Sequence, residues 1–354
     1  LAYEAAVKSV VLLKNDALLP LNKEKIKSVA VVGPFADYNY LGGYSGQPPY
    51  SVSLLKGVKE LIGKKGKVTY LNGMGTSADS IAQVVKGADI VLVALGSDEK
   101  MARENHDMPS IYLPEEQEKL LKEIYQVNPR IVLVFHTGNP LTSEWADTHI
   151  PAIMQAWYPG QEGGQAIAEI LTGKISPSGK LPISIERKWD DNPVHGSYYE
   201  NLKAEIKRVD YSEGVFVGYR GYDRSGKEPF YPFGYGLSYT TFAYSNIAAE
   251  KTGEQQITVS FDIENTGKMD ASEVAQVYVH DVQSSVPRPL KELKGYEKVF
   301  LKKGEKKRVS VVLDEDAFSF YDMNQHRFVV EKGDFEILVG PASSQLPLKA
   351  TVEL

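Results

Sequence analysis

Residues 88–114 read ADIVLVALGSDEKMARENHDMPSIYLP, and this stretch decides the fold class. Ile90 to Leu95 is an uninterrupted apolar, β-prone run, the pattern of a strand buried on both faces. Gly96 ends it. Seven of the ten positions from Asp98 to Asp107 are ionisable: Asp98, Glu99, Lys100, Arg103, Glu104, His106 and Asp107. Pro114 and the acidic pair Glu115–Glu116 then open an amphipathic helix over Pro114–Gln126. Strand, loop and helix in this order belong to an open α/β sheet, whose chemistry gathers at the carboxyl ends of the strands. No other loop in the chain matches this density of charge, so the active site is expected here.

The same alternation extends outward. Strands are expected at Ser28–Gly33, Lys67–Leu71, Ile90–Gly96, Arg130–His136, Ala152–Ala156 and Leu181–Ile185. Helices are expected at Ala2–Lys14, Ser51–Ile62, Ser80–Lys86, Pro114–Gln126 and Glu162–Leu171, with stops at Asn15–Asp16 and Gly173–Lys174. Together they give a six-stranded, mainly parallel α/β sandwich over residues 1–236. Asn192–Tyr239 is irregular and aromatic, and reads as a long loop with a short hairpin. After it the period changes. ITVSFDIENTG alternates apolar and polar residues up to a turn at Asn265–Gly267, and VAQVYVHD, FVVEKGDFEILVG and KATVEL continue the theme. Residues 237–354 therefore read as an all-β, immunoglobulin-like sandwich.

Composition removes several classes of function. The 354 residues carry a formal charge of -6, so no basic excess points to nucleic acid. There is no cysteine, which excludes disulfides and thiolate chemistry. No apolar run approaches the roughly 20 residues of a membrane span. The six histidines are dispersed without HExxH spacing, so no metal site is expected, and no cofactor is implied. The glycine-containing loop Val31–Pro49 does not follow GxGxxG, and neither a GxxxxGK[ST] loop nor a GxSxG elbow occurs. The opening LAYEAAVKSVVLLKN starts inside a helical pattern without an initiator Met, as if cut from something longer.

Clustered carboxylates on a polar loop suit glycoside hydrolysis. That reaction needs one carboxyl group to protonate the leaving oxygen and a second carboxylate across the sugar ring, about 5 Å away for retention of configuration. On spacing alone Glu104, Asp98, Glu99 and Asp107 all qualify as the acid. Tyr44 is placed at the mouth of the crevice, and HTGNPL, His136 to Leu141, on its lining.

The segments VVLLKNDALLPL, VAVVGPFAD, LGGYSG, ARENHDMPSIYLP, QAWYPGQEGGQAIAEILTGKISPSGKLPIS and YPFGYGLSYTTF resemble, in order, the C-terminal half of glycoside hydrolase family 3. RPLKELKGYEKVFLKKGE followed by FVVEKGDFEILVG resembles that family's fibronectin type III-like domain. The resemblance implies an exo-acting retaining β-glycosidase, with β-glucosidase expected first and β-xylosidase second. It assigns the acid/base role to Glu104, with Glu99 and Asp98 in reserve, and makes Arg103, His106 and Tyr44 the expected substrate contacts. Met108 stands where the family pattern often has Arg. Nothing here resembles the family's (β/α)8 barrel, which carries the Asp nucleophile. The expected partners are a β-linked glycoside, a barrel on another chain and a further copy of this chain. The expected location is secreted or periplasmic. The rival reading is a non-catalytic carbohydrate-binding module.

Overall fold

A twisted six-stranded sheet organises the first part of the chain in the computed structural model, which describes residues 1–63, 66–196 and 209–354. Its strands are β1 (Val11–Asn15), β2 (Ser28–Val32), β3 (Lys67–Leu71), β4 (Ile90–Gly96), β5 (Ile131–His136) and β6 (Ala152–Gln155), in the order β1-β6-β5-β4-β2-β3. Five strands are parallel, and β1 runs antiparallel to β6 at one edge. Every residue of β4 and β5 is buried, which is why their sequences run apolar without alternation.

Helices cover both faces. They are α1 (Ala2–Ser9), α2 (Leu54–Ile62), α3 (Ala78–Val85), α4 (Glu115–Val127), α5 (Glu144–His149) and α6 (Gly163–Leu171). Leu54, Leu55, Val58 and Ile62 of α2 share a core with Ile167, Ile170 and Leu171 of α6 and with Val31, Leu92 and Val134 of the sheet. The two helices cross closely at Gly57 and Gly164. A Cβ on Gly57 would stand 2.2 Å from the Gly164 carbonyl oxygen, so a larger residue there would force the helices apart.

Two expectations fail at the sheet edges. The helix expected over Ala2–Lys14 ends at Ser9, and Val10, with φ -64° and ψ 125°, turns the chain into β1. Val10, Val11, Leu12 and Leu13 are all buried, and a strand between two layers buries four successive residues where a surface helix buries one face. The expected stop at Asn15–Asp16 is therefore the end of a strand. Leu181–Ile185 does not join the sheet. Pro182 has no N–H for a ladder, and the segment pairs only loosely with the chain before Gly236, through Leu181 N–H to Tyr235 O at 2.8 Å and Ile185 N–H to Tyr231 O at 2.8 Å.

The second region contains a four-stranded and a three-stranded antiparallel sheet. Its strands are β7 (Phe242–Gly253), β8 (Gln256–Asn265), β9 (Ala271–Asp281), β10 (Glu292–Leu301), β11 (Lys306–Leu313), β12 (Phe320–Asp322), β13 (Arg327–Val329), β14 (Asp334–Gly340) and β15 (Leu348–Glu353). One sheet is ordered β10-β9-β14-β15, the other β11-β8-β7, and β12 and β13 form a separate hairpin. In β8 Ile257, Val259, Phe261 and Ile263 point inward, and the intervening residues face out.

By its contacts the chain divides into one unit of residues 1–180 with 236–239 and another of residues 181–235 with 240–354. Residues 181–235 are tied to the β-sandwich. Tyr219 Oη accepts the Leu293 N–H at 2.8 Å, Lys291 pairs with Asp223 at 2.6 Å, and Gln276 donates to the Gly234 carbonyl at 3.1 Å. Residues 197–208, within the irregular stretch expected over Asn192–Tyr239, lie outside the described residues. Among the described residues no helix is long and apolar enough to cross a membrane.

Candidate active site

The charged loop starts from a rigid anchor at the end of β4. A Cβ on Gly96 would stand 1.9 Å from the His136 carbonyl oxygen of β5, so only glycine lets the two strand ends run this close. The backbone of Gly96 is satisfied by one buried side chain of α4. Gln117 accepts the Gly96 N–H at 2.8 Å and donates to the Gly96 carbonyl at 2.9 Å. The amide thus replaces a ladder partner where the strand leaves the sheet. Ser97 N–H donates to His136 O at 3.0 Å, and the chain then turns outward.

Beyond Ser97 the loop is built from tight turns. The Asp98 carbonyl accepts from the N–H groups of Met101 and Ala102, and its carboxylate accepts from Lys100 N–H at 2.9 Å. Arg103 and His106 exchange backbone hydrogen bonds of 3.0 and 2.9 Å and close a turn around Glu104–Asn105. Asn105 sits at φ +59°, a left-handed conformation that Asn tolerates better than most residues. Glu104 is therefore held at the tip of a defined turn with its side chain exposed. The Tyr44 hydroxyl, from the loop after β2, donates to Glu104 Oε2. That bond holds the Tyr44 hydroxyl above its ordinary pKa, because losing its proton would set two negative oxygens side by side.

Of the three substrate contacts expected beside Glu104, the structure brings Tyr44 onto the Glu104 carboxylate. Arg103 directs its guanidinium to the Glu99 carbonyl at 2.8 Å, and His106 contributes its backbone to the turn with its ring exposed. His136 ends β5 fully enclosed. Burial pushes its pKa down to about 4, and its Nε2 has no hydrogen-bond partner, so it is a neutral core residue. Thr137 beside it is also buried and accepts from Gln155 Nε2 at 2.8 Å.

An aromatic cluster on the same side of the sheet escaped the sequence reading. Tyr38 and Tyr40, after β2, lie 6.2 Å apart with nearly parallel rings, and Tyr158, after β6, meets Tyr40 edge-on at 4.7 Å. Gly138, after β5, lies against Tyr158, where a Cβ would fall 2.7 Å from the ring. Burial, and then the charges of Asp98 and Glu99, raise the pKa of the Tyr38 hydroxyl. The loops after β2, β4, β5 and β6 thus converge. The available signal was the aromatic run in PFADYNY, residues 34–40, placed directly after a strand. Among the described residues no group of three metal-ligating side chains is assembled.

Comparison with known proteins decides the family. The Glycosyl hydrolase family 3 C-terminal domain matches residues 10–239, and a Fibronectin type III-like domain matches residues 273–343. The chain belongs to glycosyl hydrolase family 3. Among its family 3 relatives, "Thermostable beta-glucosidase B" of Acetivibrio thermocellus is 38% identical over 369 residues, with 100% of this chain and 48% of the relative covered. A "Beta-xylosidase" of Formosa agariphila is 38% identical over 371 residues, covering 100% of this chain and 49% of its own length. The crystal structure of a Bifidobacterium adolescentis GH3 beta-glucosidase superimposes with a TM-score of 0.92 at 37% identity, covering 100% of this chain and 52% of that one. The chain spans about half the length of the relatives it matches. The family 3 α/β region and the fibronectin type III-like region expected from sequence are both present, although the family 3 match extends through residues that pack with the β-sandwich.

Proposed function

We propose that this chain supplies the acid/base half of an exo-acting, retaining β-glycosidase, with a terminal β-D-glucosyl residue as first-choice substrate and a β-xylosyl residue as second. The observation that carries the reading is the presentation of Glu104. A buried strand, a glutamine latch and a two-residue turn hold one carboxyl group outward at the carboxyl end of the sheet. A general acid has to reach its proton acceptor with defined geometry, and a turn tip on a rigid anchor meets that need. A carboxylate on a (β/α)8 barrel, outside this chain, attacks the anomeric carbon. Glu104 protonates the departing oxygen, then takes a proton from the water that hydrolyses the covalent glycosyl intermediate.

Tyr44 orients the Glu104 carboxyl through its hydroxyl. Tyr38, Tyr40 and Tyr158 present aromatic surface near Asp98 and Glu99 and form a wall for the leaving group. The named activities of the relatives, one a β-glucosidase and one a β-xylosidase, support the substrate class.

The test is chemical rescue of Glu104→Gln in the protein that includes the barrel. With an activated aryl glycoside, azide should restore turnover and yield the β-glycosyl azide, because a small anion needs no base to attack the intermediate. Rescue failing with Glu104→Gln but succeeding with Glu99→Gln or Asp98→Asn would move the role to that residue.

A further inference from the structure

A cleft of about 680 Å³ opens on the β-sandwich unit, between the segment Val286–Pro289 and the β12–β13 hairpin. This volume is within the range of small-molecule sites. One wall is aromatic. Tyr321 and Phe328 face each other across the hairpin, with ring centroids 5.4 Å apart and nearly perpendicular planes, and both stay largely exposed, at 46% and 66%. The connecting turn is fixed by the Asp322 carboxylate, which accepts from Asn324 N–H at 2.7 Å, Gln325 N–H at 3.2 Å and Gln325 Nε2 at 2.6 Å. The opposite wall is Pro287-Arg288-Pro289, where two proline rings restrict the backbone.

The cleft also has a charged floor. The Arg288 guanidinium is buried and donates to Asp281 at 3.1 Å, Glu292 at 2.7 Å, the Phe318 carbonyl at 2.9 Å and the Ser319 carbonyl at 3.4 Å. The second oxygen of Glu292 lies 3.5 Å from Arg220 and 3.9 Å from Lys294. Of the charged residues that line the cleft, Arg288 and Lys294 stand against Glu292, Asp316 and Asp322, so the lining offers paired polar atoms and no excess of positive charge to draw an anion. Arg288 and Glu292 are held by their mutual bonds, and Lys294 and Asp316 line the same cleft.

Exposed ring faces above a polar floor of paired charges suit a ligand with apolar C–H faces and hydroxyl edges. We propose that this cleft is a binding subsite for a neutral oligosaccharide. Phe328 and Tyr321 stack against pyranose rings, and Lys294 and Asp316 hydrogen-bond to ring hydroxyls. The subsite stands on its own chemistry and does not depend on the role of Glu104.

Calorimetric titration of the full chain with cellotetraose and xylotetraose, and with an oligogalacturonate as anionic control, tests it. At least one neutral sugar should bind saturably. Phe328→Ala and Tyr321→Ala should each weaken that binding roughly ten-fold, and the oligogalacturonate should not compete. Unchanged circular dichroism of the two exposed-site variants controls for folding. Absence of saturable binding by either neutral sugar would overturn the proposal. So would equal binding by both aromatic variants, preference for the anionic sugar, or a change in sedimentation of Phe328→Ala without loss of sugar binding, which would make the hairpin a contact between copies.

Discussion

The loop after β4 and the floor of the β-sandwich cleft are both rich in charge, and they use it in opposite ways. In the cleft Arg288, Asp281 and Glu292 are nearly buried, and each is matched by an opposite charge. On the loop Glu104 stands at a turn tip closed by the backbone bonds of Arg103 and His106, and the uncharged Gln117 anchors the loop where it leaves β4. Charge in the cleft holds structure, whereas the Glu104 carboxylate on the loop is presented by backbone bonds that do not use its charge. Density of ionisable residues in a sequence therefore marks a candidate site only when the fold leaves those groups available.

The contrast should fail first, if it fails, at Arg288. Arg288→Ala leaves Asp281 and Glu292 buried without their main partner, and should lower the stability of the β-sandwich unit by about 3–5 kcal/mol. Denaturant unfolding followed in that unit checks this, and a loss below about 1 kcal/mol would mean that the ion cluster is dispensable.

His136 gives an effect of comparable size in the other unit, and one that depends on pH. Folded His136 takes up a proton only near pH 4, against an ordinary value of 6.5 when unfolded. Between those values the unfolded chain binds more protons. The contribution is fully present above pH 6.5 and falls away as the pH drops to 4, by up to about 3 kcal/mol. Unfolding free energies of the wild type and His136→Gln across that window should diverge in slope, and parallel curves would contradict the account. Gln117→Leu removes the latch and strands the two buried polar groups of Gly96, at a cost of about 2–4 kcal/mol. Hydrogen exchange at the end of β4 should accelerate in that variant more than at β2. Tyr44→Phe is the mildest change. Stability should stay the same, while kcat/KM of the barrel-containing protein falls modestly as the Glu104 carboxyl loses the hydroxyl that orients it.

The sequence made the centre of the first sheet legible and its edges less so. β4, its loop and α4 could be read because an apolar run, a glycine, a charged stretch and Pro-Glu-Glu each carry a local signal. VVLL at residues 10–13 fits the end of a helix or a buried strand equally well, and only pairing with β6 decides between them. LPISI at 181–185 has the apolar character of a strand, and Pro182 keeps it out of a regular ladder. Glu104 could be singled out through a family pattern. Its partnership with Tyr44 spans 60 residues of chain, and the Tyr38–Tyr40–Tyr158 cluster joins two loops on opposite sides of the sheet's centre. Such convergence depends on strand order, which local patterns do not encode. The Arg288 cluster was hidden for the same reason, since its partners come from β9, β10 and the chain before β12.

The most direct test compares leaving groups in Glu104→Gln, in the protein that includes the barrel, with stability measured on the same samples. The account predicts an unfolding free energy within about 0.5 kcal/mol of wild type. It also predicts a loss of roughly 10²–10⁴-fold in kcat/KM for an alkyl β-glycoside, with a far smaller loss for 2,4-dinitrophenyl β-glycoside. Equal losses on both substrates, or a large fall in stability, would contradict it and make Glu104 a structural residue of the loop.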